Sequence, residues 1–553
     1  MTASWLGLSL LAAVLVPSGS ARAPSVAKRG GTLRVAIYVD PGTIEPGTTT
    51  SQQAVQLMYA TQLTLVAYRE DGKPGTGRRI IPYGAAQMPT LSDDGKTYTF
   101  RIRSGLRFSD GSPVTGHSFR AGFERVLDPG MHGQQGGAFE NVVGARAFRR
   151  GQADDVSGVK ATKDRLIFHL ADAEPDFLSR LTRPLVSAMP LGLPVQPGGV
   201  DAPLHSAGPY YVKEYVTRRT LRLLRNPYWR SATLPSRPAN FREIHYLERA
   251  TAEAAFAAVS NGEADVATVF DPRDLDPDRI QALVSRYGVN RRQFWVRPRT
   301  RRYTLVFNTR HQPFNVARLR RAVSFALDRE RLLHKLSPLA GQVTDQLLLP
   351  IGAGFRDWNL YPSRPDLKRA NRNARGALRG ERATLIVDST VSGQAVGNEI
   401  KSNLTPLGLR VEVVPKAPGV VLREWLRNHP EEWDLATLYT SPYLVDPGVY
   451  INLGLEGHHY DRPPGTEGYL ATYNFSGFND PKWVNRMQRT NSLRHGRLKE
   501  YALLDRGLMK GPAPIAPYAT GNSLTLVSPR IGCFKSSPYP AYFAPNLAAL
   551  CLR

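Results

Sequence analysis

A chain of 553 residues is too long for one simple core and predicts two or three domains. With 42% apolar and 9% aromatic residues it is globular, which excludes a disordered or fibrous protein. The formal charge of +25, carried mostly by arginine, leaves three readings open: a nucleic-acid partner, an anionic envelope, or arginine-rich codon usage.

At the N-terminus, residues 5–16 form an apolar run too short to span a bilayer. Pro17, Ser18 and Gly19 follow, then Ala21, Arg22 and Ala23, a small-x-small cleavage site. This predicts a secretory signal over residues 1–23, although no Lys or Arg precedes the apolar run. No cysteine follows the cleavage point, where Pro24 stands, so no lipid anchor is expected. No later stretch is long and apolar enough to span.

Gly30 and Gly31 lead into a strand of Thr32, Leu33, Arg34, Val35 and Ala36. Asp94 and Gly95 mark a hairpin turn, after which Tyr98, Phe100 and Ile102 alternate with Thr99, Arg101 and Arg103. A second turn at Ser104 and Gly105 precedes Phe108, Asp110, Gly111, Pro113 and Thr115, then a helix over 118–126. Further on come Gly208, Pro209, Tyr210 and Tyr211, then Arg225, Asn226, Pro227, Tyr228 and Trp229. Asn261, Gly262, Glu263, Ala264 and Asp265 read as a helix-to-strand turn in which Gly262 is a left-handed C-cap.

The densest basic cluster is Arg291, Arg292, Arg297, Arg299, Arg301 and Arg302, interrupted by Phe294, Trp295 and Tyr303. Such interleaving can grip phosphates and stack bases. No recognisable nucleic-acid module accompanies it, so attraction to anionic envelope polymers, screened within ~8 Å at physiological salt, is the better reading. Residues 303–308 form a β-rich run that Pro313, Phe314 and Asn315 break. From Val316, Leu319, Ala322, Val323, Ala326 and Leu327 recur at helical spacing.

These blocks, in this order, resemble the extracellular solute-binding proteins of family 5, the oligopeptide, dipeptide and nickel type. The stretch 303–332 carries the family's Phe-Asn-Thr, Pro-Phe and Asp-Arg-Glu wording at Phe307, Asn308, Thr309, Pro313, Phe314, Asp328, Arg329 and Glu330. The resemblance runs from Gly30 to about Pro517 and implies an α/β, two-lobed periplasmic-binding-protein clamshell with discontinuous lobes and a small extra domain. By it, lobe I takes 24–63, 190–294 and 512–553. A sheet-rich domain II takes 64–189 and lobe III takes 295–511. Hinge crossings are expected near 295–303 and 513–525.

The implied function is capture of a small solute, peptide-like or otherwise, for a membrane permease of an ATP-driven importer. The alternative is an extracellular sensor or adhesin of the same fold. The protein is expected to be exported, monomeric and free of cofactors. An enzyme is not expected, because no nucleophile elbow, HExxH helix or phosphate-cradling glycine loop is present. His458, His459 and Asp461 are the best metal candidate, yet adjacent side chains do not converge easily on one ion, so no metal is expected.

For the ligand, the informative stretch is 433–447, which matches the family's cleft-wall strand between Asp434 and the Asp446–Pro447 pair. In peptide-binding members the position four before that proline is an aspartate that holds the ligand's ammonium; here it is Tyr443. The resemblance makes Tyr439, Thr440, Ser441, Pro442 and Tyr443 the candidate ligand-binding residues, with a preference for a neutral, anionic or blocked solute that stacks on Tyr439 or Tyr443. Asp446 is expected to cap the next helix. Lastly, Cys533 and Cys551 are the only cysteines, and in an oxidising compartment such a pair closes.

Overall fold

The computed structural model describes residues 29–49, 51–69, 79–133, 135–230, 237–442, 444–456, 474–534 and 545–553. The signal stretch 1–23 and the residues His458, His459 and Asp461 therefore lie outside the described residues.

Two parallel trios of strands organise the chain. In the first, Thr32–Ile37 is flanked by Glu243–Glu248 and Val266–Val269, both parallel to it. Helix Ala252–Ser260 makes the crossover between the flanking strands, capped by the Thr251 hydroxyl, which accepts from the Ala254 N–H. Gly262 follows it at φ +78°, the left-handed conformation in which glycine ends a helix without steric penalty. In the second trio, Arg382–Asp388 lies between Arg410–Lys416 and Leu435–Thr440, again all parallel. Helices Val391–Leu404 and Val420–Asn428 return the chain. Leu33, Leu223, Ile244 and Val266 in one half, and Leu385, Ile400, Leu404 and Leu435 in the other, are buried in separate cores.

Two long strands join the halves. Phe294–Phe307 runs antiparallel to Ile515–Val527 over nearly their full length. The first also pairs with Leu435–Thr440, the second with Val266–Val269, so one ten-stranded sheet passes through both halves. The sequence predicted only the β-rich 303–308 as strand; pairing with Ile515–Val527 extends it through the arginine- and proline-rich stretch before it. Between Pro298 and Arg302 the register slips, so that Arg299, Thr300 and Arg301 bulge opposite Gly521. A Cβ at Gly521 would come within 2.6 Å of the Arg301 Cβ, so the bulge needs glycine there.

The basic cluster is consequently split. Arg299, Arg301 and Arg302 are buried beneath the crossing strands, whereas Arg291 and Arg292 face solvent. Half of the sequence's densest positive patch is interior and contributes nothing to attracting an envelope polymer.

Between the first trio's segments sits a small four-stranded antiparallel sheet, in the order Thr90–Leu91, Thr97–Arg101, Arg165–His169, Val159–Ala161. Helix Gly116–Leu127 packs on it, longer at both ends than the predicted 118–126. Phe100, Phe123, Phe139, Phe168 and Phe177 interlock edge to face beneath it. Gly95 sits at φ +76° in the predicted turn, where Asp94 accepts from the Lys96 N–H. The predicted helix after Val316 is two: Ala317–Ala326, then Arg329–Leu336, whose start is capped by Asp328 accepting from the Arg331 N–H.

Cys533 and Cys551 form a disulfide, pinning the C-terminal segment beside strand pair Ile531–Gly532 and Cys551–Leu552. No free thiol should be found on titration of unfolded, unreduced protein. Replacing both cysteines by serine should lower stability by about 3 kcal/mol in the chain-entropy account, read as a lower urea midpoint.

Candidate functional site

In an open parallel sheet, ligand crevices lie beyond the carboxyl ends of the strands, where helix N-termini and loops gather. Each trio offers such an edge, and here the two edges meet. Asp271 stands just past Val266–Val269, and Asp388 ends Arg382–Asp388. Arg273, from the first half, joins them: it donates to Asp271 at 2.9 Å and to Asp388 at 3.0 Å. Nearby, Val445 of the second half packs with Val55, Tyr59 and Phe270 of the first and Tyr68 of the small domain. The cleft is therefore closed in this structure.

Its floor is made of the crossing strands. Tyr303 and Tyr439 are register partners, their centroids 6.1 Å apart, and Tyr518 stacks on Tyr303 from the other side. Guanidinium groups are interleaved with these rings. Arg301 lies 4.5 Å from the Tyr439 centroid, and Arg273 and Arg423 each lie 5.4 Å from it. Arg273 also covers Tyr303. The arrangement draws cations onto the negative ring faces.

Asp271 is the hub of the charges. It accepts from Arg273 and from the Tyr303 hydroxyl, and it contacts the Arg301 guanidinium directly. Burial pushes its carboxyl up, but Arg301 and Arg273 more than reverse this and hold it well below the usual carboxylate range. Burial and the neighbouring Arg301 push Arg299 down to about 9, which leaves it charged at neutral pH.

The candidate ligand residues end this floor. Tyr439 is half-buried under its three guanidiniums, so its ring serves as a support for cations and offers little free face for a solute to stack on. The Thr440 and Ser441 hydroxyl oxygens are buried with no hydrogen-bond partner among the described residues. Pro442 is half-buried beside them. Tyr443 lies outside the described residues. Asp446 caps helix Pro447–Leu455 by accepting from the Gly448 N–H at 2.8 Å. Asp434 accepts from the Thr384 N–H, a structural role.

Sequence reasoning missed Asp271, Arg273, Asp388 and Arg423. Asp271, Pro272 and Arg273 do follow a strand directly, a weak signal for a residue at a strand's carboxyl end. A pocket of about 440 Å³, counting the solvent at its mouth, opens beside Arg273, Asp388, Gly419, Arg423, Thr437 and Tyr439. No helix among the described residues is long and apolar enough to cross a membrane.

Comparison with known proteins places these features. The sequence profile of the bacterial extracellular solute-binding proteins, family 5, matches residues 79–460. The probable D,D-dipeptide-binding periplasmic protein of Escherichia coli K12 is 24% identical over 440 residues, 78% of this chain and 78% of that protein. The probable deoxycholate-binding periplasmic protein of the same organism is 27% identical over 314 residues, 56% of this chain and 55% of that one. Among solved structures, the clavulanic acid biosynthesis oligopeptide binding protein 2 superposes with a TM-score of 0.84 at 22% identity, covering 95% of this chain and 96% of that one, which shows the shared fold. With most of its length inside that profile and both halves of the fold matched, the chain belongs to the bacterial extracellular solute-binding proteins of family 5.

Proposed function

We propose that the protein is the solute-capturing component of an ATP-driven importer, closing two lobes on one small organic solute and presenting it to a membrane permease. The observation that carries this reading is the Arg273–Asp388 ion pair, which ties the carboxyl edges of the two parallel trios together across a cleft floored by the two crossing strands. Lobe I is assigned to 24–63, 190–294 and 512–553, domain II to 64–189 and lobe III to 295–511, with the crossing strands as hinges. The protein acts exported and as a monomer, and binds without turnover. Relatives are named for dipeptides, oligopeptides and deoxycholate, so clefts of this kind take organic solutes of differing charge.

The solute-facing residues are assigned to the end of the cleft-wall strand: Tyr439 supports the guanidiniums, while Thr440, Ser441, Pro442 and Tyr443 face the solute. Tyr443 stands where peptide-binding members of the family carry an aspartate. A buried ammonium needs a carboxylate or a full set of acceptors, and a phenol's hydroxyl and ring, about 0.5–2 kcal/mol of cation–π attraction, do not replace one. The cleft therefore disfavours peptides with a free N-terminus. Calorimetry with a mixed free-peptide library and its N-acetylated counterpart tests this; tight binding abolished by acetylation would contradict it.

Closure itself is tested by compound screening on thermal stability followed by small-angle scattering. Ligands that raise the melting temperature should also reduce the radius of gyration, because only contacts made to both lobes shift the open–closed equilibrium. Asp388→Asn should open the ligand-free protein. The Arg273–Asp388 pair is largely shielded, so its loss is worth about 1–2 kcal/mol, or close to tenfold in affinity. An unchanged radius of gyration and dissociation constant in this variant would rule out the pair as a latch.

A further inference from the structure

The small four-stranded domain meets the second half of the molecule along a seam of its own, apart from the Arg273–Asp388 pair. Tyr68 and Val445 share a buried cluster there, and Arg494 donates to the Asp93 carbonyl oxygen in the turn before strand Thr97–Arg101. Charged groups of both sides face one another across it. From the small domain, Arg180 lies 2.8 Å from Glu174 and 3.1 Å from Asp176. From the other side, Arg497 holds Asp446 at 2.7 Å. Burial raises the Asp446 carboxyl, Arg497 lowers it, and Asp176 from across the seam raises it again. Against burial, Asp176, Glu174 and, from the far side, Asp446 keep Arg180 charged.

These charges do not balance, because three carboxylates share two guanidiniums. Asp176 is 2% exposed, and its Oδ1 has no hydrogen-bond partner among the described residues. Glu174 is largely buried, and Asn141 reaches it only at 3.4 Å. The remaining cations stay at the rim: Arg494 and His495 are exposed, and Lys96 pairs with the exposed Asp172 at 3.7 Å. Burial pushes the phenols of Tyr68, Tyr98 and Tyr501 up, so they are neutral. The surplus belongs to the small domain, where Glu174 and Asp176 have one arginine between them. In an open cleft water screens that surplus; closure removes the water and brings a third carboxylate alongside.

We propose that closing this seam takes up one proton, shared among Glu174, Asp176 and Asp446, so that the closed form is favoured on the acid side of neutrality. It rests on the two-lobed closure reading and adds to it a control by pH. The proton belongs to the cluster rather than to one carboxyl group. In the closed form burial pushes Glu174 up to about 7, with Arg180 opposing and Asp176 adding. A group whose pKa is higher closed than open favours closure fully below the open-form value, ordinarily about 4.3, and that favour is lost as pH rises through about 7. Capture should therefore weaken as pH rises from 6 to 8.

The test counts open and closed molecules of the full mature chain, free of ligand, by single-molecule energy transfer. Dyes are carried by Gln152→Cys in the small domain and Val391→Cys in the second half; both positions are exposed, and the native cysteines are held in their disulfide. From pH 8 to pH 6 the closed-to-open ratio should rise by up to about tenfold, the limit for one fully coupled proton over this range. Glu174→Gln, neutral at every pH, should hold the ratio high and flat. Asp176→Asn leaves two carboxylates for two guanidiniums and should flatten the profile as well, so it decides the matter if Glu174→Gln fails to fold. A wild-type ratio that changes less than twofold overturns the proposal, as does a pH dependence that survives unchanged in the variants. A pH dependence of the urea midpoint without one of the ratio would confine the proton to the small domain and also overturn it. Screening hits that still compact the protein would in each of these cases leave solute capture standing.

Discussion

Asp271→Ala should destabilise the folded protein by about 3–5 kcal/mol, as expected when one partner of a buried ion pair is removed and the other is left uncompensated. The carboxylate is 7% exposed and sits among Arg273, Arg301 and the Tyr303 hydroxyl, with the buried Arg299 close behind. Removing the one negative charge shared by Arg273 and Arg301 leaves like charges facing one another in a dry site. Asp271→Asn keeps the shape and loses the charge, so it should fall between wild type and alanine.

The same carboxylate sets an acid limit. Its folded-state pKa is held below the unfolded value of about 3.9, so its contribution is complete above that value and is lost as pH falls through the folded pKa. Urea midpoints of the wild type should fall as pH is taken from about 5 downward, and those of Asp271→Ala should fall less steeply. An alanine variant within 1 kcal/mol of wild type, or parallel pH profiles, would remove Asp271 as the hub.

How much of this was legible in the sequence depends on whether local pattern or distant pairing decided the outcome. Turns and helix starts were readable because their chemistry is local: Gly95 and Gly262 occupy the left-handed conformations their contexts demanded, and Asp446 caps the helix it precedes. The alternating Tyr98 and Phe100 bury as the period predicts. The strand Phe294–Phe307 was half hidden, since Arg297, Pro298 and Arg299 have no strand character and are held extended only by Ile515–Val527, more than two hundred residues later. For the same reason the basic cluster misled. Composition marks arginines as surface residues, and their burial is explained only by distant partners: Asp271 and the rings of Tyr303 and Tyr439 for Arg301, the Phe270 carbonyl oxygen for Arg299 and the Leu347 carbonyl oxygen for Arg302. The cleft's ion pairs were illegible because each joins segments far apart in the chain. Arg273 and Asp388 are neighbours only after two lobes have formed and met.

Asp446→Ala should be comparably severe, and it should also weaken ligand binding. Asp446 does two things with one carboxylate: it accepts from the Gly448 N–H at the start of helix Pro447–Leu455, and it receives both terminal nitrogens of Arg497, at 2.7 and 2.8 Å. Both side chains are nearly buried. Losing the cap accounts for about 1 kcal/mol, and stranding a buried guanidinium for about 3–5 more. Arg497 keeps two contacts to Asn491, its carbonyl oxygen at 3.1 Å and its side chain at 2.9 Å, which should hold the loss to the lower part of that range. The consequence for function comes from Val445, the preceding residue, which packs against Phe270, Tyr59 and Tyr68 across the cleft. With Asp446 gone, the wall that carries Thr440 to Val445 loses its fixed end, so a solute closing the lobes must also order that wall. Val445→Ala separates the two effects, since it removes cross-cleft packing but leaves the anchor intact. It should weaken binding with a small change in urea midpoint, whereas Asp446→Ala should lower both. Adding Arg497→Met to Asp446→Ala should recover part of the stability, because the stranded charge is then absent. If the double variant is less stable than Asp446→Ala alone, the guanidinium is not the source of the loss.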